Sequence, residues 1–492
     1  MTMDHPQPPL YVAILTYLSY GVLIVFGHLR DFSRAGLTAL GLRWLLRATS
    51  KDTRRPVGNE PGYCELLSDF DNFYTRRLYH RIQDCWNRPV CSAPGAYITL
   101  PERLSDDYNL SFKLTGKTHR CLNLGSYNYL GFAENHGPTI AAVTDATLTY
   151  GISSCGSRAT AGNTRDHVEL ENLVARFLGK PAAMIFGMGF ATNSTVIPAL
   201  CGKGSLVISD TLNHSSIVQG CRVSGAKIKT FRHNDPDDLE AVLRHAIAYG
   251  QPRTHRPWKK IIVIVEGIYS MEGEICRLAE IVAVKKKYKA YLYLDEAHSI
   301  GALGATGRGV CEHTGVSPDD VDILMGTFTK SFGGVGGYIA STPELIQYLK
   351  SVCIGHLYAN AMAPPVARMV QTTMKIIMGE DGTNDGQRRI HQLRDNANYF
   401  RRRLVEMGFV IYGDNDSPVV PLMLYYPCAI AAFSREALKR SLAVVVVGYP
   451  ATPIIESRSR FCLSAAHTRE DIDKALDAIS DVGDVMGLKF NA

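Results

Sequence analysis

The sequence predicts an α/β fold, with a large domain built on mostly parallel strands and a small α+β domain after it. Three observations carry this. Short apolar runs, AAMIF (182–186), SLVIS (205–209), IIVIV (261–265), AYLYL (290–294) and DILMGTF (322–328), alternate with longer stretches of helical periodicity. These runs are apolar at successive positions rather than at every second one, as expected for strands covered by helices on both faces. After about residue 380 the pattern changes to a polar helix (GQRRIHQLRDNANYFRRRLVEMG), then VVPLMLYY, SLAVVVVGYP and RFCLSA, and a closing helix from Arg469. With 492 residues the chain is long enough for one large and one smaller domain.

Taken in order, residues 1–50 read as a membrane anchor. Leu10 to Gly27 (LYVAILTYLSYGVLIVFG) runs without a charge for about the length of a membrane helix. Asp4, His5 and prolines precede it and Arg30 and Arg34 follow it, the reverse of the basic start and small-residue cleavage site of a signal peptide. The following LTALGLRWLLRATSKDTRR places Leu37, Leu40 and Trp44 among basic residues, an amphipathic stretch suited to an anionic surface. The positive-inside rule puts the bulk of the chain on the cytoplasmic side; spanning and dipping remain alternatives for the first helix. Residues 51–120 carry turn signals (RRPVGNEPG, CSAPGAY) and read as an arm. Residues 121–380 form the large domain and 381–492 the small one.

Composition narrows the function. Charged residues make up 20% and the net charge is +6, too small an excess at this length to suggest nucleic-acid binding. Twelve cysteines are scattered without C-x-x-C pairs or zinc spacing, which points to reduced thiols facing the cytosol and to no metal.

Chemistry gathers at three strand ends. LYLDEAHSIGALG ends its strand on Asp295, with His298 three residues on; VIVEGIYSMEGE runs into Glu266 and Ser270; ILMGTFTKS runs into Thr327, Thr329 and Lys330. Ligands of open α/β sheets collect at the carboxyl ends of strands, so these groups are expected to converge. The D-E-A-H tetrad also suits a helicase, yet no phosphate loop of the form G-x-x-x-x-G-K-[ST] precedes it. Singly, Asp295 could cap a helix, His298 could be a core histidine and Lys330 a solvated lysine. Together they match the needs of pyridoxal phosphate: a lysine for the Schiff base, a carboxylate that keeps the ring nitrogen protonated, hydroxyls and backbone N–H groups for the phosphate. His214 in NHSS can stack on the ring, and GMGFATN (187–193) opens a helix whose N-terminus suits the phosphate.

The ordered set GMGFATN, SDTLNHSSI, EGIYSMEGE, LDEAHSIGALGATGRG, GTFTKSFGGVGGYIA and SRFCLSAAHT resembles the α-oxoamine synthases, fold-type I pyridoxal phosphate enzymes that condense an amino acid with an acyl-CoA. The resemblance covers nearly the whole chain. NLGSYNYLGFA (123–133), YPATPIIESRSRFCLSAAHT and the apolar N-terminus resemble the branch that uses L-serine and palmitoyl-CoA. It implies a mostly parallel seven-stranded sheet, with Lys330 holding pyridoxal phosphate, Asp295 on the ring nitrogen, His214 stacked and His298 near the phenolic oxygen. It implies further that Gly189, Phe190, Thr327 and Ser270 lie by the cofactor, and that Arg460 receives the amino-acid carboxylate, Arg458 being the alternative, with Asn128 and Tyr129 on the substrate side. A guanidinium fork suits that carboxylate. The resemblance also implies a heterodimer with a non-catalytic subunit, small regulatory membrane subunits, and the endoplasmic reticulum membrane with the catalytic part in the cytosol. The segment YANAMAPP (358–365) departs from homodimeric relatives, with Ala359 and Ala361 where they offer hydroxyls to the neighbouring subunit's phosphate. An aminotransferase, another oxoamine synthase and an inactive scaffold subunit are the rival readings.

Overall fold

A computed structural model describes residues 8–40, 73 and 75–491. Seven strands form the central sheet: β3 (Ala182–Phe186), β4 (Ser205–Asp210), β5 (Lys227–Phe231), β6 (Lys260–Glu266), β7 (Tyr291–Asp295), β8 (Ile323–Thr327) and β9 (Gly337–Ser341). Their order is β3-β9-β8-β7-β6-β4-β5, parallel except for β9, which runs antiparallel to both neighbours. Alternate residues of one strand reach opposite faces. Leu206, Ile208, Val263, Val265, Leu292 and Leu294 pack into one core, and Val207, Ile262, Ile264, Tyr293, Ile323 and Met325 into the other. Both faces are therefore dry, which is why the strands read as unbroken apolar runs. Each such side chain contributes roughly 1.5–3 kcal/mol by leaving water.

The C-terminal part has a second sheet, β10 (Val419–Met423), β12 (Val445–Val447) and β13 (Arg458–Cys462), antiparallel with β13 central. The helix Arg469–Met486 closes it and begins on a capping box between Thr468 and Asp471. The expected arm contains more than turns. From it β1 (Tyr97–Leu104) and β2 (Lys113–Asn123), which runs three residues past its expected end at 120, form a hairpin, and β2 pairs with the short β11 (Leu442–Ala443). The hairpin thus belongs in space with the C-terminal elements.

The N-terminal apolar run forms a helix, Leu10–Ala39. Its segment Leu10–Ser33 is long and apolar enough to cross a membrane, with mean hydropathy 2.0. One face docks on the body: Val12 is buried with Val410, Tyr412, Met423 and Tyr425, His28 stacks on Phe73 at 4.3 Å, and Asp31 pairs with Arg77. Leu10, Leu18, Phe26 and Phe32, away from that face, are exposed. Of the expected amphipathic stretch, residues 41–55 with Trp44 lie outside the described residues, as does the first part of the arm.

Candidate active site

Adjacent parallel strands bring the three strand ends together. Glu266 registers with Asp295, and Asp295 with Met325, two residues before Thr327. Asp295 is buried, and both its oxygens accept: Oδ1 from the Ala297 N–H at 2.8 Å, Oδ2 from Asn193 Nδ2 at 2.7 Å. Asn193 also donates to Ser216 Oγ at 3.0 Å and accepts from the Tyr293 hydroxyl at 2.7 Å. This buried network fixes the carboxylate. Asn193 was not singled out from the sequence, although an asparagine on the buried face of a helix, beside Val196 and Ile197, is a signal.

Lys330 is half-buried, in a loop pinched shut by Phe328 N–H to Gly336 O at 3.0 Å and Gly334 N–H to Phe328 O at 2.9 Å. Among the described residues its Nζ has one weak hydrogen bond, 3.5 Å to Thr327 Oγ1. Loss of water pushes the ammonium down, Asp295 and Glu266 partly restore it, Arg460 opposes them, and the result is about 8. Glu266, buried beneath, is pushed well above the usual carboxylate range by burial and by Asp295, and accepts from the His214 N–H.

His214 caps the helix Ser215–Ser224, with Nδ1 accepting from Ser216 N–H at 3.2 Å, and its ring is exposed toward the Phe190 edge at 6.1 Å. The helix Gly189–Leu200 has no side-chain cap, which leaves first-turn N–H groups for an anion. Gly189 is required there: a Cβ would lie 2.8 Å from Thr327 Cγ2. Ser270 is half-buried on the loop after β6.

Arg460, on the central strand β13, is buried, and its Nε has no hydrogen-bond partner. Arg458 is fully buried and every one of its nitrogens is engaged: it donates to Glu456 O at 2.9 Å, Met271 O at 2.9 Å, Glu456 Oε2 at 2.7 Å and Glu272 Oε1 at 3.3 Å. Of the two arginines, Arg460 is the one with a buried nitrogen that has no partner. Tyr127, unnoticed in the sequence, joins the pieces. Its ring lies 5.7 Å from Lys330 Nζ, 4.7 Å from the Arg460 guanidinium carbon and edge-on to His298 at 5.1 Å.

The two substrate-side candidates from the same segment are used otherwise. Asn128 donates to Pro94 O at 2.9 Å and accepts from the Ala133 N–H at 3.1 Å, so its amide shapes the turn. Tyr129 is fully buried, 2.7 Å from His298 Nδ1. Burial keeps its phenol protonated and, with Lys330 and Arg460 nearby, holds His298 well below the usual imidazole range. With Tyr129 donating to Nδ1, the proton of the neutral ring sits on Nε2. In YANAMAPP, Asn360 bridges to Ser157 and Tyr358 is exposed.

Two cations with unspent donors, an uncapped helix end and a fixed carboxylate suit a ligand carrying anionic groups and a basic ring nitrogen. The site fits pyridoxal phosphate with a bound amino acid.

Comparisons with known proteins agree. A family model described as aminotransferase class I and II matches residues 119–479. Long chain base biosynthesis protein 2b of Arabidopsis thaliana is 57% identical over 98% of this chain and 96% of its own. Serine palmitoyltransferase 3 of Homo sapiens is 52% identical, over 99% of this chain and 86% of its own. Among solved structures, Sphingomonas wittichii serine palmitoyltransferase superposes with a TM-score of 0.75 at 30% identity, over 86% of this chain and 99% of that one. A high-resolution serine palmitoyltransferase structure with the pyridoxal phosphate internal aldimine superposes with 0.74 at 31% identity, over 86% and 100%. The chain belongs to the class I and II aminotransferase family and, within it, to the group of long chain base biosynthesis 2 and serine palmitoyltransferase proteins.

Proposed function

We propose that the chain condenses L-serine with palmitoyl-CoA, releasing CO2 and CoA and yielding 3-ketodihydrosphinganine, the first intermediate of sphingolipid synthesis. The observation that carries this reading is Arg460: a buried guanidinium with an open Nε, sharing the Tyr127 ring with the reactive lysine. In this reading Lys330 holds the cofactor and Asp295 its ring nitrogen. His214 covers the ring, His298 lies near its phenolic oxygen, and Thr327, Ser270 and the backbone at Gly189 and Phe190 lie along its phosphate side. Pyridoxal phosphate supplies, when bound, an electron sink for charge developing at the serine Cα.

The residues of the chain do the rest. Arg460 takes the serine carboxylate and fixes which bond at Cα is aligned for cleavage. Once the serine amine takes its place on the cofactor, Lys330, with its value lowered to about 8, is partly a free amine near neutral pH and can remove the Cα proton; after Cα joins the acyl carbon, CoA leaves and CO2 departs, it can return a proton. Asp295 stays aimed because Asn193 and the Ala297 N–H hold both its oxygens. Tyr127 screens the two cations from water.

The same reading has the chain work at the endoplasmic reticulum membrane with its catalytic part in the cytosol, in a heterodimer with a non-catalytic subunit and with small regulatory membrane subunits. The exposed apolar face of the helix Leu10–Ala39 supports membrane attachment, which suits an acyl substrate and a product that both partition into lipid. The test is to incubate the purified chain, with and without its partner, with serine or glycine and a panel of acyl-CoAs. Serine-dependent release of CoA with a long-chain 3-keto amine is expected. Accumulation of pyridoxamine phosphate without CoA release, or turnover confined to glycine and short acyl groups, would replace the reading with an aminotransferase or another oxoamine synthase.

A further inference from the structure

The loop 267–276 after β6 meets the arginines of β13. Arg460 Nη1 lies 3.5 Å from Met271 Sδ, and Arg458 binds Met271 O and Glu272 of the same loop. The seat of Arg460 therefore depends on where this loop stands; Asp414 holds one side of it, accepting from Ile275 N–H at 2.7 Å and donating its own N–H to Gly273 O at 3.1 Å, and a buried bridge holds the other.

His233, two residues beyond β5, has Nδ1 2.9 Å from Asp210 Oδ1 at the end of β4 and Nε2 2.9 Å from Glu274 Oε2 in the loop. The side chains of Asp210, Glu274 and His233 are only 0%, 11% and 15% exposed. The Tyr269 ring closes the flank, edge-on at 4.3 Å. Asn234 continues the clamp, donating to Ile275 O at 3.0 Å and accepting from Arg277 N–H at 2.9 Å, while its own N–H goes to Asp210 Oδ2 at 2.9 Å.

A neutral imidazole has one N–H and can satisfy one carboxylate; two carboxylates require the imidazolium. Burial alone would push His233 down, but its hydrogen bonds to Asp210 and Glu274 outweigh this and raise it to about 10. The bridge is then charged throughout the physiological range. Charge-assisted, water-excluded hydrogen bonds of this kind are the strong ones.

We infer that His233 is a positioning residue for serine binding: its imidazolium ties Glu274 to Asp210 and so holds the loop 267–276 where Met271 seats Arg460. The inference rests on Arg460 as the carboxylate receptor. It assigns His233 no contact with serine or with the cofactor.

The test uses the full-length holoenzyme and reads serine affinity from the change in cofactor absorbance on titration, beside amide exchange of the loop. His233→Gln, which can serve one carboxylate only, should weaken serine binding about tenfold, in line with the loss of one hydrogen bond to a buried charge. Exchange at Tyr269 and Cys276 should rise, with cofactor retention unchanged. Glu274→Ala, which leaves the Asp210–His233 pair intact, should do the same should the first variant fail to fold. The double variant His233→Gln/Glu274→Gln, where two neutral amides pair, should recover most of the affinity, a result that simple loss of packing would not give. Serine affinity within twofold of wild type in either single variant overturns the inference. Arg460→Lys separates the premise: unchanged serine affinity there sinks the carboxylate-receptor reading itself, whereas weakening there with no effect at His233 sinks only the positioning role.

Discussion

Asn193 is the side chain whose removal should most clearly separate holding the carboxylate from holding the fold. Asn193→Ala removes the 2.7 Å donor to Asp295 and the 3.0 Å donor to Ser216, and strands the Tyr293 hydroxyl, which donates to Asn193 Oδ1. A hydrogen bond to a charged group contributes about 1.5–3 kcal/mol, and a buried unpaired hydroxyl costs about 1–3 kcal/mol. Together these give a destabilisation of about 4 kcal/mol. Tyr293→Phe is the control, because it deletes only the hydroxyl and leaves Asp295 served; it should cost about 1 kcal/mol. Chemical denaturation reads the stability, and absorbance of the cofactor after dialysis reads its retention. The expected pattern is loss of both in Asn193→Ala, with at least tenfold weaker cofactor binding, and a small stability loss alone in Tyr293→Phe. An Asn193→Ala protein that keeps its cofactor as well as wild type would refute the claim that this network fixes Asp295.

Three further outcomes are expected. Gly189→Ala forces a methyl to 2.8 Å from Thr327 Cγ2, so the helix start or the strand end must shift, and cofactor affinity measured by absorbance titration should fall at least tenfold. Lys330, lowered to about 8, is roughly one-tenth neutral at pH 7 and half neutral near pH 8. Cofactor capture by the apoprotein, followed by stopped-flow absorbance, should therefore speed up about fivefold from pH 7 to 8 and level off above pH 9. His233 is raised to about 10 between Asp210 and Glu274, with Tyr269 against its ring, so its stabilisation is complete below its unfolded value of about 6.5 and lost as pH rises through about 10. Thermal melts should show that loss in wild type, and the difference from His233→Gln should shrink as the pH climbs.

Much of the architecture was legible because burial on both faces writes itself into consecutive apolar residues. AAMIF coincides with β3, and the runs at 205, 261, 290 and 322 fall on β4, β6, β7 and β8. Two sheet strands escaped for opposite reasons. β5, KIKTF, is an edge strand with two exposed residues, so its pattern is too polar to stand out. β9, GYIAS, hides behind the glycines of the Lys330 loop, and nothing local reveals that it runs antiparallel. The hairpin β1–β2 was missed because β2 is exposed over most of its length, and its buried end pairs with β11, more than 300 residues away.

The site divides along the same line. Asp295 and Thr327 end strands and His214 caps a helix, where chain direction fixes position, and Lys330 follows three residues after β8, so the sequence could bring these four together. Tyr127 and Asn193 could not, since their value comes from contacts made across the fold: Tyr127 with Lys330 and Arg460, Asn193 with Asp295 and Tyr293. Asn128 shows the converse, a polar residue in a telling segment whose amide is consumed by a turn.

Lys330 is the central residue, and reductive trapping examines it most directly. The full-length protein, loaded with pyridoxal phosphate, is treated with borohydride, digested and mapped by mass spectrometry. The cofactor mass should fall on the peptide containing Lys330, and Lys330→Ala should abolish both the trapped adduct and product formation. An adduct on another lysine, or product from the Lys330→Ala chain, would contradict the account.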